Sequence, residues 1–174
     1  HLSSNFTFSG LGDKREYDYT RSGNPTRDAL ATALAELEGG AGAVVTSSGM
    51  AALNLVAQLL EPGDLLIAPH DCYGGTHRLF ESLAAKGHFE VLFVDQCDEQ
   101  AIQRACARGP RLILVETPSN PLLRIVDIEE MAVAARACGA LLAVDNTFLS
   151  PALQQPIALG ADIVIHSTTK YLNG

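Results

Sequence analysis

The chain has few basic residues and no long apolar run, and each absence excludes a class of protein. Only 12 Lys and Arg residues stand against 20 Asp and Glu, which leaves a formal net charge of −8. A nucleic-acid-binding protein should instead carry a basic face. No apolar stretch is long enough to span a bilayer. Binding of a small anion stays open, because a local site can be positive on a negative protein.

Paired cysteine motifs and a signal peptide are also lacking. The four cysteines have no CxxC spacing, so neither a disulfide framework nor a zinc site is predicted. Cys106 and Cys138 fall in helical patterns, where they are interpreted as buried small hydrophobic residues. No signal peptide follows His1. A reducing, cytoplasmic compartment is therefore expected, and a leader before His1 stays open.

Helix and strand patterns alternate from residue 24 onward, and 47% of the residues are hydrophobic. Helices are predicted at 25–38, with Asn24 as the N-cap, at about 49–60 and 75–85, after Asp98, and from the capping-box residue Asp127 to Gly139. Short apolar strands are predicted at 43–45, 65–68, 91–94, 112–115, 141–144 and 163–165. Continuous apolar strands separated by helices indicate an α/β fold, with a mostly parallel sheet and helices on both faces.

The chain is predicted to have two parts. Residues 1–23 lack the alternating rhythm and are expected to form an extended N-terminal arm, whereas residues 24–174 form the large domain. The pattern stops just after Lys170 as if the fold continued. We therefore expect a longer protein, with an incomplete large domain here and a C-terminal domain beyond it.

Polar residues cluster where the predicted strands end, which is where open α/β sheets bind ligands. They are Ser48, Gly49 and Met50 after the first strand, Tyr73 after the second, Glu116 and Asn120 after the fourth, Asp145 and Thr147 after the fifth, and Ser167, Thr169 and Lys170 after the sixth. Each residue alone has an ordinary structural interpretation as a cap, turn or surface charge. Their coincidence at successive strand ends favours a binding site.

These residue types suit an aldehyde cofactor that carries a phosphate. Gly49 begins a predicted helix, whose free backbone N–H groups and positive end favour an anion. Tyr73 could stack on a planar ring, and Asp145 could keep a ring nitrogen protonated. Lys170 could bind an aldehyde covalently and later move protons.

Other known motifs are matched only in part, because residues that each of them requires are absent. Ser167 to Lys170 matches S-x-x-K of penicillin-binding serine enzymes, but neither S-D-N nor K-T-G occurs, so a serine acyl enzyme is a remote alternative. Gly40 and Gly42 begin a dinucleotide fingerprint in which Val45 replaces the third glycine. A nucleophile elbow fails at the same valine, and His70 with Cys72 are too few for a metal site.

Six segments, in order and at consistent spacing, resemble the family of pyridoxal-5′-phosphate (PLP) dependent enzymes of cysteine and methionine metabolism. They are YTRSGNPTRDALATALAELEGG, SSGMAA, HDCYGGTHRLF, ETPSNPLLRIVDI, VDNTFLSPALQQP and HSTTKYLNG. The resemblance implies the large domain of the aspartate-aminotransferase-like fold (fold type I). The segment HDCYGGT is most similar to the cystathionine γ-synthase branch. Methionine γ-lyases usually have cysteine where Gly75 stands, whereas cystathionine γ-lyases share YGGT.

The resemblance also implies a role for each matching residue. Lys170 matches the lysine that carries the cofactor and shuttles protons, Asp145 the partner of the ring nitrogen, and Tyr73 the stacking tyrosine, which we also predict to be catalytic. The phosphate cradle is implied at Gly49, Met50, Ser167 and Thr169, and Asn120 and Thr147 are placed near the ring. Tyr19 and Arg21 match residues that reach the phosphate of a neighbouring subunit. The arginine that binds the substrate carboxylate is expected in the C-terminal domain.

The implied reaction is γ-replacement on an O-acylhomoserine, O-succinylhomoserine first, with cysteine to give cystathionine in methionine biosynthesis. A cystathionine γ-lyase or an O-acylhomoserine sulfhydrylase of the same family is the alternative, and a non-catalytic, truncated PLP-binding module is the alternative of another class. The expected partners are amino-acid substrates and further copies of the chain, in a homotetramer with active sites shared between subunits. No metal, nucleic-acid or membrane partner is expected.

Overall fold

The computed structural model describes residues 1–173. Gly174, the last residue of the motif HSTTKYLNG and of the predicted large domain, lies outside the described residues. The chain forms two compact units, His1–Val45 and a second unit that begins at Thr46.

The first unit contains helix α1, Pro25–Glu38, preceded by an irregular segment. Asn24 accepts a hydrogen bond from the backbone N–H of Thr26 at 2.9 Å, which satisfies a donor that the helix itself cannot. Gly39 ends the helix in the left-handed conformation, at φ 69°. The helix predicted at residues 25–38, with Asn24 as its N-cap, is therefore confirmed at both ends. Two isolated antiparallel bridges lie within residues 1–23, one between Asn5 and Tyr19 and one between Gly10 and Asp13.

The predicted strand at residues 43–45 is wrong. The segment has no regular secondary structure and pairs with no strand of the described residues. Val44 leaves 76% of its surface exposed, so the apolar run that suggested a buried strand is not buried. A strand is stabilised by its ladder partners and by burial of its side chains, and this segment has neither.

The second unit is built on a parallel sheet of five strands within the described residues, in the order β2-β1-β3-β4-β5. The strands are β1 Leu65–Pro69, β2 Glu90–Val94, β3 Leu112–Glu116, β4 Leu141–Asp145 and β5 Ile163–Ile165. The helices are α2 Gly49–Ala57, α3 Gly74–Ala85, α4 Glu99–Cys106, α5 Ile128–Cys138 and the short α6 Ser150–Leu153, and Tyr171–Asn173 form a 3-10 turn. The helix α6 was not predicted.

Helices cover both faces of the sheet, which confirms the predicted fold class. Alternate strand residues point to opposite faces: Ile67 packs in one apolar cluster with α4 and α5, whereas Leu66 packs in the other with α2 and α3. The strands β1 and β3 are buried along their whole length, as continuous apolar runs indicate. Cys106 and Cys138 are only partly buried against the first cluster, Cys72 is buried, and the four cysteines of the described residues form no disulfide.

The strand order reverses between β1 and β3. The chain leaves β1 for β2 on one side and then crosses to β3 on the other side. Helix α3, which follows β1, lies on the opposite face from α4 and α5, so the connections after β1 and β3 diverge. Such a switch point opens a crevice at the carboxyl ends of the two strands.

Candidate functional site

The residues predicted at the strand ends of the second unit do lie at one edge of the sheet. Asp145 ends β4, while Asn120, Thr147 and Ser167 follow β3, β4 and β5. Because all five strands are parallel, their carboxyl ends meet at the same edge. Gly49 and Met50 reach this edge from the start of α2 rather than from a preceding strand.

The start of α2 lies directly against the loop that follows β5. A Cβ atom added to Gly49 would be 2.7 Å from Cβ of Ser167 and 3.0 Å from its hydroxyl oxygen. Only a residue without a side chain allows this approach. The side chain of Ser48 caps the helix by accepting from the backbone N–H of Ala51 at 3.1 Å. The glycine therefore brings the positive end of α2 to the Ser167 loop.

The loop after β5 presents a compact set of hydrogen-bond donors. Nζ of Lys170 lies 3.2 Å from the hydroxyl of Ser167 and 3.2 Å from that of Thr169, and the two hydroxyls are 3.2 Å apart. An ammonium group, two hydroxyls and a helix N-terminus all favour an anion. Their proximity is a property of the tertiary structure, because α2 and this loop are more than a hundred residues apart in sequence.

Asp145 is connected to this loop through Thr147. The backbone N–H of Thr147 donates to Oδ1 of Asp145 at 3.0 Å, and the Thr147 hydroxyl accepts from the backbone N–H of Ser167 at 2.9 Å. Burial raises the pKa of Asp145, while the bonds from Thr147 and the charges of His166 and Lys170 oppose that shift. The position suits a carboxylate that needs a cationic partner, since desolvation costs less once a counter-charge is present.

The side chains of Tyr73 and Met50 both lie close to Gly75. A Cβ atom added to Gly75 would be 2.5 Å from Cε1 of Tyr73 and 3.0 Å from the sulfur of Met50. A side chain at position 75 would therefore displace the tyrosine ring or the methionine. The residue Tyr73 is 46% exposed at the edge of the site, where an aromatic face is free to stack on a planar ring.

Glu116 lies at the predicted end of a strand, and its residue type alone predicted no role for it. It ends β3 and is 7% exposed. Its Oε2 accepts from the backbone N–H of Tyr73 at 3.0 Å, and its Oε1 accepts from the backbone N–H of Asn120 at 2.8 Å. The signal in the sequence was a lone carboxylate at the end of the apolar run Leu112–Val115.

The pKa of Glu116 is raised to about 7, chiefly by burial and also by the neighbouring charges of Asp145 and Asp71, while the two backbone donors oppose the shift. A carboxyl group whose pKa is higher in the folded state stabilises the fold most at low pH. That contribution is lost as pH rises from the unfolded value, about 4.3, through about 7.

We therefore expect the free energy of unfolding to fall as pH rises from 4.5 to 7, by up to about 3 kcal/mol from this group. Glu116→Gln should remove most of that slope, because glutamine does not titrate. Urea titrations of both proteins at several pH values measure the difference. Parallel pH dependences in the two proteins would show that Glu116 does not titrate in this range.

Tyr19 and Arg21 belong to the first unit. The guanidinium carbon of Arg21 lies 5.3 Å from the centre of the Tyr19 ring, a cation–π contact. Tyr19 also donates its backbone N–H to Asp18 at 2.7 Å. The two predicted phosphate contacts are thus adjacent to one another.

Among residues 1–173, no three His, Cys, Asp or Glu side chains are grouped in a way that could hold a metal ion. No helix in the same residues has the length and apolar character needed to cross a membrane.

Known proteins match the chain over its whole length. It is 64% identical to cystathionine gamma-synthase of Escherichia coli K12 over 175 aligned residues, 100% of this chain and 45% of the relative. It is 48% identical to cystathionine beta-lyase of Lactococcus lactis subsp. cremoris, over 100% of this chain and 46% of that protein. The chain thus spans about half the length of the curated relatives it matches.

The fold matches as well. A crystal structure of cystathionine gamma synthase from Xanthomonas oryzae pv. oryzae, in complex with aminoacrylate and cysteine, superposes with a TM-score of 0.97 at 62% identity, over 100% of this chain and 45% of that one. The sequence model of the Cys/Met metabolism PLP-dependent enzymes matches residues 1–174. The chain therefore belongs to the Cys/Met metabolism PLP-dependent enzyme family.

Proposed function

We propose that this chain is the PLP-binding part of an enzyme that replaces the acyl group of an O-acylhomoserine with cysteine and so forms cystathionine. O-succinylhomoserine is the acyl substrate we propose first. The observation that carries the proposal is the donor cluster of Lys170, Ser167 and Thr169 against the start of α2. The higher identity to a cystathionine gamma-synthase, 64%, than to a cystathionine beta-lyase, 48%, supports the choice of reaction.

The residues fit PLP by their chemistry. The phosphate would be held by the backbone at Gly49 and Met50 and by the hydroxyls of Ser167 and Thr169. A side chain on Gly49 would clash with Ser167 and separate these groups. Tyr73 would lie against the ring. Asp145 would pair with the ring nitrogen, Asn120 would lie near the ring oxygen, and Thr147 would lie near the other face of the ring.

When bound, PLP supplies an aldehyde that joins an amino group and a ring that stabilises negative charge at the substrate Cα. Lys170 would hold the aldehyde in the resting protein, and its freed Nζ would then accept the Cα proton. Asp145 would keep its negative charge beside the ring nitrogen and so hold a proton on that atom. Tyr73, which we propose as catalytic, would keep the ring in one orientation and exclude water from its exposed face.

The reaction is tested on the full-length protein. We expect cystathionine from O-succinylhomoserine and cysteine, with slower turnover of O-acetylhomoserine and little cleavage of cystathionine alone. Faster cleavage of cystathionine would indicate a lyase instead, and use of sulfide in preference to cysteine would indicate a sulfhydrylase. PLP bound at Lys170 without turnover of any of these substrates would favour a non-catalytic binding module.

We further propose that the protein is a homo-oligomer, a tetramer, whose active sites are shared between subunits. Arg21 and Tyr19 would contact the phosphate of a neighbouring subunit, since the planar fork of an arginine suits phosphate oxygens. Their place in a segment without helix or strand supports the proposal, because such a segment needs no core of its own. The boundary at residue 24 between an N-terminal arm and the large domain, a C-terminal domain beyond this chain, and a cytoplasmic location stay predictions.

Mixing two inactive full-length variants, Lys170→Ala and Arg21→Ala, should restore activity if the sites are shared. One site in each heterodimer then pairs an intact Lys170 with an intact Arg21. About one quarter of the sites should recover after random exchange, which two affinity tags can verify. If Arg21 serves its own subunit, every site keeps one defect, and verified heterodimers stay inactive.

A further inference from the structure

Glu116 connects two segments that diverge at the switch point of the sheet. It ends β3 and accepts one hydrogen bond from Tyr73, which follows β1, and another from Asn120, in the connection after β3 itself. Because β1 and β3 are parallel neighbours in the sheet, these two connections begin at the carboxyl ends of adjacent strands. One buried side chain thus fixes the backbone of both residues proposed to lie beside the cofactor ring.

We propose that Glu116 is a positioning residue, which sets the Tyr73 side chain and the Asn120 side chain at the cofactor ring by holding the backbone of both. The proposal rests on the proposed function, because it assigns the two side chains to a PLP site. Glu116 itself would touch neither the cofactor nor the substrate, since both of its oxygens are directed to backbone N–H groups.

The Tyr73 contact is needed because α3 begins there without a side-chain cap. Tyr73 occupies the N-cap position of α3, and its own side chain makes no capping hydrogen bond. The first backbone N–H groups of a helix have no acceptor within it. Glu116 provides an acceptor for Tyr73 from another strand and so fixes the point at which the tyrosine ring leaves the backbone.

A carboxylate is the side chain that fits both contacts. Each contact uses a different oxygen of Glu116, 3.0 Å and 2.8 Å from the two nitrogens. Glutamine has one acceptor oxygen and one NH₂ group, which would face a backbone N–H as a second donor. Three other ionisable groups lie near Glu116. Asp145 is on the adjoining strand β4, and Asp71 and Cys72 are in the connection after β1. None of these replaces either acceptor oxygen in the contacts described.

The test compares Glu116→Gln in two backgrounds of the full-length protein. One background is otherwise unaltered, and the other carries Tyr73→Ala and Asn120→Ala, which leaves Lys170 and the phosphate-binding groups in place. The dissociation constant of PLP is measured by titration, and the visible circular dichroism per bound PLP reports the orientation of the ring. Glu61→Gln, a matched change at an exposed turn before β1, is the control.

In the unaltered background we expect Glu116→Gln to weaken PLP binding by about tenfold or more, because a part-buried backbone N–H loses its acceptor and the residue that carries it is no longer held in place. The circular dichroism per bound PLP should also fall. In the second background the same change should alter affinity by less than about twofold, because residues that act through one another are not additive. Glu61→Gln should change nothing in either background.

Equal changes in both backgrounds would overturn the positioning role, because a general loss of structure does not depend on the side chains at 73 and 120. Melting of the apoproteins identifies a variant that fails to fold, in which case Glu116→Asp is measured in the same two backgrounds with the same criterion. If the unaltered protein takes up no PLP, the proposed function itself fails, and the inference fails with it. Uptake with equal changes rejects only the role of Glu116.

Discussion

Replacement of Lys170 by alanine should abolish covalent attachment of PLP and lower turnover by at least ~10²–10⁴, the usual effect of losing a general base. Loss of the route by which the lysine and the substrate exchange at the aldehyde should lower it further. The measurement is borohydride reduction of the PLP-loaded protein followed by peptide mass spectrometry. In the unaltered protein we expect the label on Lys170.

Two further variants distinguish the loss of the nucleophilic amine of Lys170 from the loss of its positive charge. Lys170→Arg keeps a cation near the hydroxyls of Ser167 and Thr169 but has no nucleophilic amine, so it should be as inactive as the alanine variant. Lys86→Ala, at the exposed end of α3, should leave labelling and turnover unchanged. Undiminished labelling in the Lys170→Ala protein would contradict the assignment.

Asp145→Asn should lower turnover by about 10²–10³-fold, the effect of removing one preorganised electrostatic group from an active site. Asparagine keeps the shape and can still accept from the backbone N–H of Thr147, so the loop geometry should persist. The negative charge beside the ring nitrogen is lost, and the proton on that nitrogen should be lost more readily. Affinity for PLP should change much less, because the phosphate contacts remain.

The matched control is Asp162→Asn. Asp162 also accepts a backbone N–H, that of Leu142 at 2.8 Å, but it precedes β5 and so lies at the opposite edge of the sheet. The Asp162→Asn change should lower the free energy of unfolding modestly and leave the turnover of substrate per bound PLP unchanged. If Asp145→Asn instead strongly lowers the affinity for PLP, while the protein that still binds PLP keeps its normal turnover of substrate, the role proposed for Asp145 is wrong.

Much of the fold could be predicted from the sequence because its signals are local. Asn24 and Gly39 mark the ends of α1 through their own side chain or backbone freedom, and the buried runs of β1 and β3 are visible as continuous apolar stretches. The family motifs are likewise contiguous segments. Asp145, Lys170 and their neighbours could therefore be placed at strand ends, and all the strand ends of a parallel sheet meet at one edge.

Contacts between distant segments depend on tertiary structure alone. No local pattern indicates that Gly49 leaves room for Ser167. Nor does any indicate that Val44 stays exposed, since the apolar pattern of residues 43–45 predicts a buried strand. The double contact of Glu116 requires that β3 lies beside β1, which follows from strand order and not from the residues near position 116. Propensity and periodicity act within a few residues of one another, whereas close packing across the sheet decides which side chains meet at the site.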